Sequence, residues 1–178
     1  AILDNASLIC WGGNSDGQLG DGTTTTSSTS SPASVDFGTG RTVVAVAAGH
    51  RHTCAILDDA SLQCWGSNSA SKLGTGTSRS NPTAADLGTG RTAVATAVGF
   101  YNSCAILDDG SVKCWGQGNG GSSGSTVSIG SGRIAVAITA GFDHACAILD
   151  DASLICWGGN GYGQLGDGTT TSASTSSP

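Results

Sequence analysis

Methionine and glutamate are absent from the 178 residues, proline occurs three times, aromatic residues make up 5 % and charged residues 11 %. Soluble domains usually carry ~25 % charged residues. Helix interiors lean on Glu, Met, Lys and Leu, so these shortages exclude a helix-rich fold. No run of Lys or Arg interrupts a net charge of −6. The electrostatic attraction that dominates nucleic-acid binding is therefore missing, and neither nucleic acid nor an anionic membrane is expected as a partner. No apolar stretch approaches the ~20 residues that cross a bilayer, so membrane insertion is not expected either. Ala1 opens the sequence without a start Met or signal-like segment, which reads as a mature or truncated chain.

Twenty-nine glycines and an abundance of Ser, Thr, Val and Ala take up the positions so released. These residues favour turns and strands, and an all-β protein is expected. The sequence repeats itself: CAILDDASLQCWG at 54–66 returns as CAILDDGSVKCWG at 104–116 and CAILDDASLICWG at 146–158, and AILDNASLICWG opens the chain. Trp11, Trp65, Trp115 and Trp157 recur at spacings of 54, 50 and 42 residues. The units run approximately 1–54, 55–104, 105–146 and 147–178 within a single repeat domain or fragment, the first and last being incomplete. NSDGQLGDGTT from Asn14, NSASKLGTGTS from Asn68 and NGYGQLGDGTT from Asn160 share a second element. The third unit lacks it and carries GQGNGGSSGS from Gly116 instead. A third element, GTGRTVVAVAAG and its relatives, leads into each following cysteine.

Pairing within a unit follows from the turn. If Asp58, Asp59 and Ala60 form a three-residue hairpin loop, Leu57 faces Ser61, Ile56 faces Leu62, Ala55 faces Gln63 and Cys54 faces Cys64. Such loops want a left-handed third residue, which Gly110 supplies and which Ala6, Ala60 and Ala152 adopt at some cost. Strand alternation puts Cys54, Ile56, Leu62 and Cys64 on one face and Ala55, Leu57 and Trp65 on the other. Both faces are apolar, as in a blade sandwiched between neighbours in a propeller or solenoid. The small Ala/Val strands at 43–48 and 93–98 suit the crowded inner strand of such a blade.

These motifs resemble the repeats of the regulator of chromosome condensation family, with its HTCAL-like strand, DDG turn, CWG strand end and GQLG element. The resemblance covers the whole chain and implies β-propeller blades, typically seven to a ring. About four units cannot complete such a ring, so the expected architecture is part of a larger propeller or repeat array.

A Cys-x9-Cys pair in each hairpin reads as a disulfide more than as a metal site, since zinc prefers close pairs gathered in fours. The expected cystines are Cys54 with Cys64, Cys104 with Cys114 and Cys146 with Cys156, free buried thiols being the alternative. Cys10 is left for a partner missing before Ala1. Disulfides place the chain outside the cytosol, in the extracellular space or at the cell surface. There, Asn5-Ala6-Ser7 is an N-glycosylation sequon. The Ser/Thr-rich tracts at 23–31 and 169–177, including Thr23, Thr24, Thr25, Thr26, Thr169, Thr170 and Thr171, are candidates for O-linked sugar.

Chemistry finds little to work with. The aspartates at 4, 58, 59, 108, 109, 150 and 151 sit at hairpin tips, where Asp bonds backbone N–H groups. His52 and His144 share a repeat position with Asn102, which suits a structural hydrogen bond better than a proton shuttle. NSDGQLGDG lacks the ordered Asp ladder and closing Glu of a hand-type calcium loop. GTGR precedes a strand, whereas phosphate loops open helices. Arg41, Arg91 and Arg133 in that element are expected to anchor the turn between outer and inner strands. The repeated tryptophans are expected in blade packing, not in a stacking platform. No catalytic residue, metal or cofactor is expected.

The expected function is a non-enzymatic extracellular repeat module, a structural or adhesive component of a cell surface, matrix or filamentous appendage. The alternative is a secreted propeller that binds or inhibits a protein partner through its loops, with Phe100, Tyr101, Phe142 and Tyr162 as contacts. The implied partners are other proteins or further copies of the chain, together with covalent glycans.

Overall fold

The tips at Asp58-Asp59-Ala60 and Asp108-Asp109-Gly110 reverse the chain as their sequence requires, with Ala60 at φ 60° and Gly110 at φ 77°. The computed structural model describes residues 1–117 and 121–171, the side chains of 121–123 excepted. Residues 118–120 of the glycine-rich stretch, and the end of the second Ser/Thr tract with Pro178, lie outside the described residues. Among those described, the one helical element is a 3-10 turn at Ser69–Ser71.

Four antiparallel sheets follow one another along the chain. The first pairs β1 (Ile9–Asn14) with β2 (Thr25–Ser34). The second orders β3 (Val43–Ala48), β4 (His52–Leu57), β5 (Leu62–Gly66) and β6 (Arg79–Ala84). The third repeats it with β7 (Ala93–Val98), β8 (Asn102–Leu107), β9 (Val112–Gly116) and β10 (Gly121–Val127). The fourth holds β11 (Ala135–Ala140), β12 (His144–Leu149) and β13 (Leu154–Gly158).

In the central hairpins Ile56 pairs with Leu62, Ala55 with Gln63 and Cys54 with Cys64, and the register repeats at Cys104 with Cys114 and Cys146 with Cys156. Each of these cysteine pairs is disulfide-bonded. Cys10 is a free, half-buried thiol.

The two faces of each sheet meet different neighbours. Cys54, Ile56, Leu62 and Cys64 of the second sheet pack with Ala93, Ala105, Leu107 and Trp115 of the third. Cys104, Ile106, Val112 and Cys114 of the third pack with Ala145, Leu149 and Trp157 of the fourth. Ala55, Leu57 and Trp65 turn the other way, onto Leu8 and Val35. The inner strands β3, β7 and β11 lie beside one another, where alanines let neighbouring sheets approach closely. A register shift between Val43 and Ala45 recurs in β7 and β11 and leaves Val44, Val94 and Val136 exposed.

The loop elements pin one unit to the next sheet. Asn14 Oδ1 accepts the Leu19 N–H at 3.1 Å, and its Nδ2 donates to Asp21 and Thr23. The loop so shaped offers Gln18 O to the Trp65 indole N–H and the Thr53 hydroxyl, both at 3.0 Å. Gly20, at φ 76°, then rests on that indole; a Cβ there would lie 2.6 Å from Nε1. Gly74 sits likewise on Trp115. Trp65, Trp115 and Trp157 are buried as packing residues, whereas Trp11 is 53 % exposed because no described loop covers it.

Arg41, Arg91 and Arg133 do more than hold their own turn. Each reaches the hairpin tip of its sheet: Arg41 pairs with Asp58 at 3.3 Å and with Asp59, Arg91 with Asp108 at 3.3 Å and with Asp109, Arg133 with Asp150 at 2.8 Å and with Asp151. The Arg133 guanidinium beside Asp151 holds that carboxyl well below the usual range. Such exposed pairs fix geometry more than they add stability.

Candidate partner-binding rim

Three tight turns join the inner strands to their neighbours. Gly49 N–H donates to His52 O at 2.9 Å, Gly99 N–H to Asn102 O at 2.9 Å and Gly141 N–H to His144 O at 2.8 Å. The tips they carry are His50-Arg51, Phe100-Tyr101 and Phe142-Asp143, all on one rim of the stack. Glycine is required at the turn because the next turn comes so close: a Cβ on Gly49 would lie 2.5 Å from Gly99 O, and one on Gly99 would strike Gly141 O. The last two turns are also joined directly, Phe100 N–H donating to Gly141 O at 3.2 Å and Tyr101 N–H to Phe142 O at 3.1 Å.

This spacing stacks the side chains. His50 lies 4.0 Å from Phe100 with 18° between ring planes, and Phe100 lies 4.4 Å from Phe142. Tyr101 closes on the group edge-on, 5.2 Å from Phe142 at 88°. Phe142 is 56 % exposed, His50 is exposed, and Phe100 and Tyr101 are half-buried. Since neighbouring rings occupy one another's faces, the spine offers edges and the outer face of Phe142, a shape for apolar side chains of a partner.

Beneath the spine lies a buried polar layer. Lys72 is 1 % exposed; its Nζ donates to Phe100 O at 3.0 Å and to Ser69 Oγ at 3.2 Å, and sits 5.9 Å from the Tyr101 ring centre. Burial lowers its pKa, with Asp16 opposing that shift and Arg51 adding to it. Ser103 Oγ donates to Lys72 O at 2.7 Å, so it accepts from His52 Nε2 at 2.8 Å. Burial first, and Lys72 second, lower the His52 pKa to about 3 and keep it neutral. Asn102, in the equivalent place, donates to His144 O at 3.1 Å. These contacts are structural, as their shared repeat position implies. Arg51 pairs with Asp16 at 3.2 Å at the edge of the rim.

Phe100, Tyr101 and Phe142 thus come together, while Tyr162 stands apart on the fourth unit's loop, 96 % exposed. Sequence reasoning passed over His50 and Lys72. His50 was legible from its repeat position, shared with Phe100 and Phe142; Lys72 replaces a glutamine of the sister loops, and its burial depends on the third sheet's turn. A cleft of about 350 Å³ between the first sheet and β3 also opens beside His50, lined by Leu8, Trp11, Leu19, Val46 and Thr53 among others. Among the described residues no group of three or more His, Cys, Asp or Glu could hold a metal ion. No described helix is long and apolar enough to cross a membrane.

Comparison with known proteins follows these repeats closely. Models of the "Regulator of chromosome condensation (RCC1) repeat" match residues 5–56 and, in a second form, 43–71, 93–122 and 135–164. Human WBSCR16 superposes over 99 % of this chain and 48 % of its own, at a TM-score of 0.84 and 22 % identity. Prp20p of Saccharomyces cerevisiae, described with its binding to Gsp1p and histones, covers 90 % of this chain and 43 % of its own at 0.78 and 23 %. The ectodomain of the Physcomitrella patens receptor kinase CR4 covers 77 % of this chain and 35 % of its own at 0.51 and 26 %. The chain spans about half the length of the first two structures.

Proposed function

Because this chain belongs to the regulator of chromosome condensation (RCC1) repeat family, we propose that it is a non-enzymatic extracellular propeller segment that grips a protein partner at its aromatic rim. The stacked His50, Phe100 and Phe142 spine carries the reading, because partly exposed rings held by backbone turns and by one another lose little entropy on binding. Prp20p, with its protein partners, supports the partner class. Three cystines and the likeness to a receptor ectodomain support the extracellular setting. The histones and Gsp1p of Prp20p are not carried over, since this chain is 23 % identical to Prp20p and covers 43 % of its length.

The deciding experiment compares the wild-type chain with a Tyr101→Ser, Phe142→Ser double variant, immobilised and exposed to the extracellular fraction of the source organism. A discrete protein held by the wild type and released at least ~10-fold more readily by the folded variant is the expected result. Equal retention by both would remove the rim from the function. A second reading, a structural or adhesive component of a surface, matrix or appendage, is favoured by the head-to-tail stacking of cystine-pinned sheets, the cysteine face of one on the tryptophan face of the next. In that case self-association, read by sedimentation, persists in the double variant.

A further inference from the structure

Asn5 occupies the tip of the first hairpin, next to the bridge between Ile2 and Leu8. Its sister positions are Asp59, Asp109 and Asp151, each clamped by an arginine. Asn5 has no such clamp among the described residues. Its Oδ1 accepts the Ser7 N–H at 3.1 Å and the Ser7 hydroxyl at 2.7 Å. A backbone N–H can only donate, so the atom it meets is the oxygen, and the side-chain atom left without a hydrogen-bond partner among the described residues is Nδ2. Asn5 is exposed, and Ala6 at φ 59° closes the three-residue loop that carries it, its N–H donating to Leu3 O at 2.9 Å.

We propose that Asn5 is an N-glycan attachment site, its free Nδ2 being the acceptor atom. This inference rests on the extracellular reading given above. The sequon Asn5-Ala6-Ser7 is complete. Two neighbouring candidates fail for physical reasons: Asn81-Pro82-Thr83 carries proline at the excluded position, and Asn102-Ser103-Cys104 is buried with its cysteine in a disulfide. In the transfer, Asn5 Nδ2 attacks the anomeric carbon of a polyprenyl-diphosphate-linked oligosaccharide presented by an oligosaccharyl transferase. The new bond is C–N, the anomeric C–O bond to diphosphate breaks, polyprenyl diphosphate leaves, and one Nδ2 proton passes to the enzyme's base. No electron transfer is involved. The glycan would stand on the same edge of its sheet as the Arg–Asp clamps of the other three, where the neutral Asn5 leaves Asp4 as the one carboxylate of the tip.

The test uses protein purified from its source, alkylated without reduction and then treated with peptide N-glycosidase in heavy-oxygen water. The expected outcome is an Asn5 peptide recovered as heavy-labelled aspartate, an unlabelled Asn81 peptide and six cysteines blocked from alkylation. Unlabelled Asn5 with the cystines intact overturns the glycan site and leaves the extracellular reading standing. Free thiols at the six cysteines overturn the compartment itself. In a eukaryotic secretory host, Asn5→Asp, the residue of the sister tips, is expected to lose one glycan-sized step in mass while remaining folded. Asp59→Asn, which completes a sequon in an equivalent turn, reports whether such tips are accepted by that host. Modification of the Asp59→Asn turn with none at Asn5 also overturns the proposal.

Discussion

His52 ties the rim to the core and makes stability depend on acidity. Folded, it takes a proton only near pH 3, against 6.5 for an ordinary histidine, because the charged form would be buried beside Lys72. Between these values the unfolded chain binds a proton that the folded chain refuses, so this contribution is complete above about 6.5 and is lost as pH falls toward 3. Lowering pH from 7 to 5 is expected to reduce the unfolding free energy by about 2 kcal/mol, read from urea midpoints. A His52→Asn variant, carrying the side chain of Asn102, flattens that dependence; an unchanged slope would show that His52 titrates normally. At this scale the sequence was legible in part. The position shared by His52, Asn102 and His144 suggests a structural hydrogen bond, which His52 and Asn102 make and the Nδ1 of His144 does not among the described residues, and the left-handed alanines follow from the turn. Lys72 was not legible, because its surroundings come from Phe100 and Ser103, about thirty residues away.

The hairpin is the element that repeats most faithfully, and its register was fully readable from the turn length and cysteine spacing. Cys104 and Cys114 face one another across it at 0 % exposure. Replacing both by alanine removes the short loop's constraint on the unfolded chain and is expected to cost about 2–3 kcal/mol, measured by thermal unfolding. A loss below about 1 kcal/mol would mean that packing alone holds the hairpin. The GQLG-type loop was legible as a repeated element but not as a lid on the next unit's tryptophan. Nothing local in Gly20 announces Trp65, because the contact closes only when two sheets have stacked. The clamp from Arg41 to Asp58 and Asp59 was half legible: the arginine was placed at its own turn, and its reach to the hairpin tip depends on β3 lying beside β4.

For the whole molecule, stability is shared across the seams between sheets. Leu107 belongs to the third sheet yet packs with Cys54, Ile56 and Leu62 of the second. A Leu107→Ala variant is expected to lose about 2–5 kcal/mol. Hydrogen exchange should quicken in β4 and β5 as well as in β8, since neighbouring repeats fold as coupled units. Protection lost in β8 alone would show that the sheets are independent. The blade architecture itself was legible because two apolar faces on every hairpin require two neighbours. The rim was legible as a list of aromatic residues but not as a spine, which forms only through the close approach of Gly49, Gly99 and Gly141. The tryptophans add an optical consequence. Each sheet holds one indole, but Trp65 donates its N–H to a backbone carbonyl, Trp157 is buried with no partner for its N–H among the described residues, and Trp11 meets water. Four sequence-equivalent fluorophores therefore emit from at least three different surroundings, and the chain carries a colour scale on which the opening of one seam is distinguishable from the opening of another.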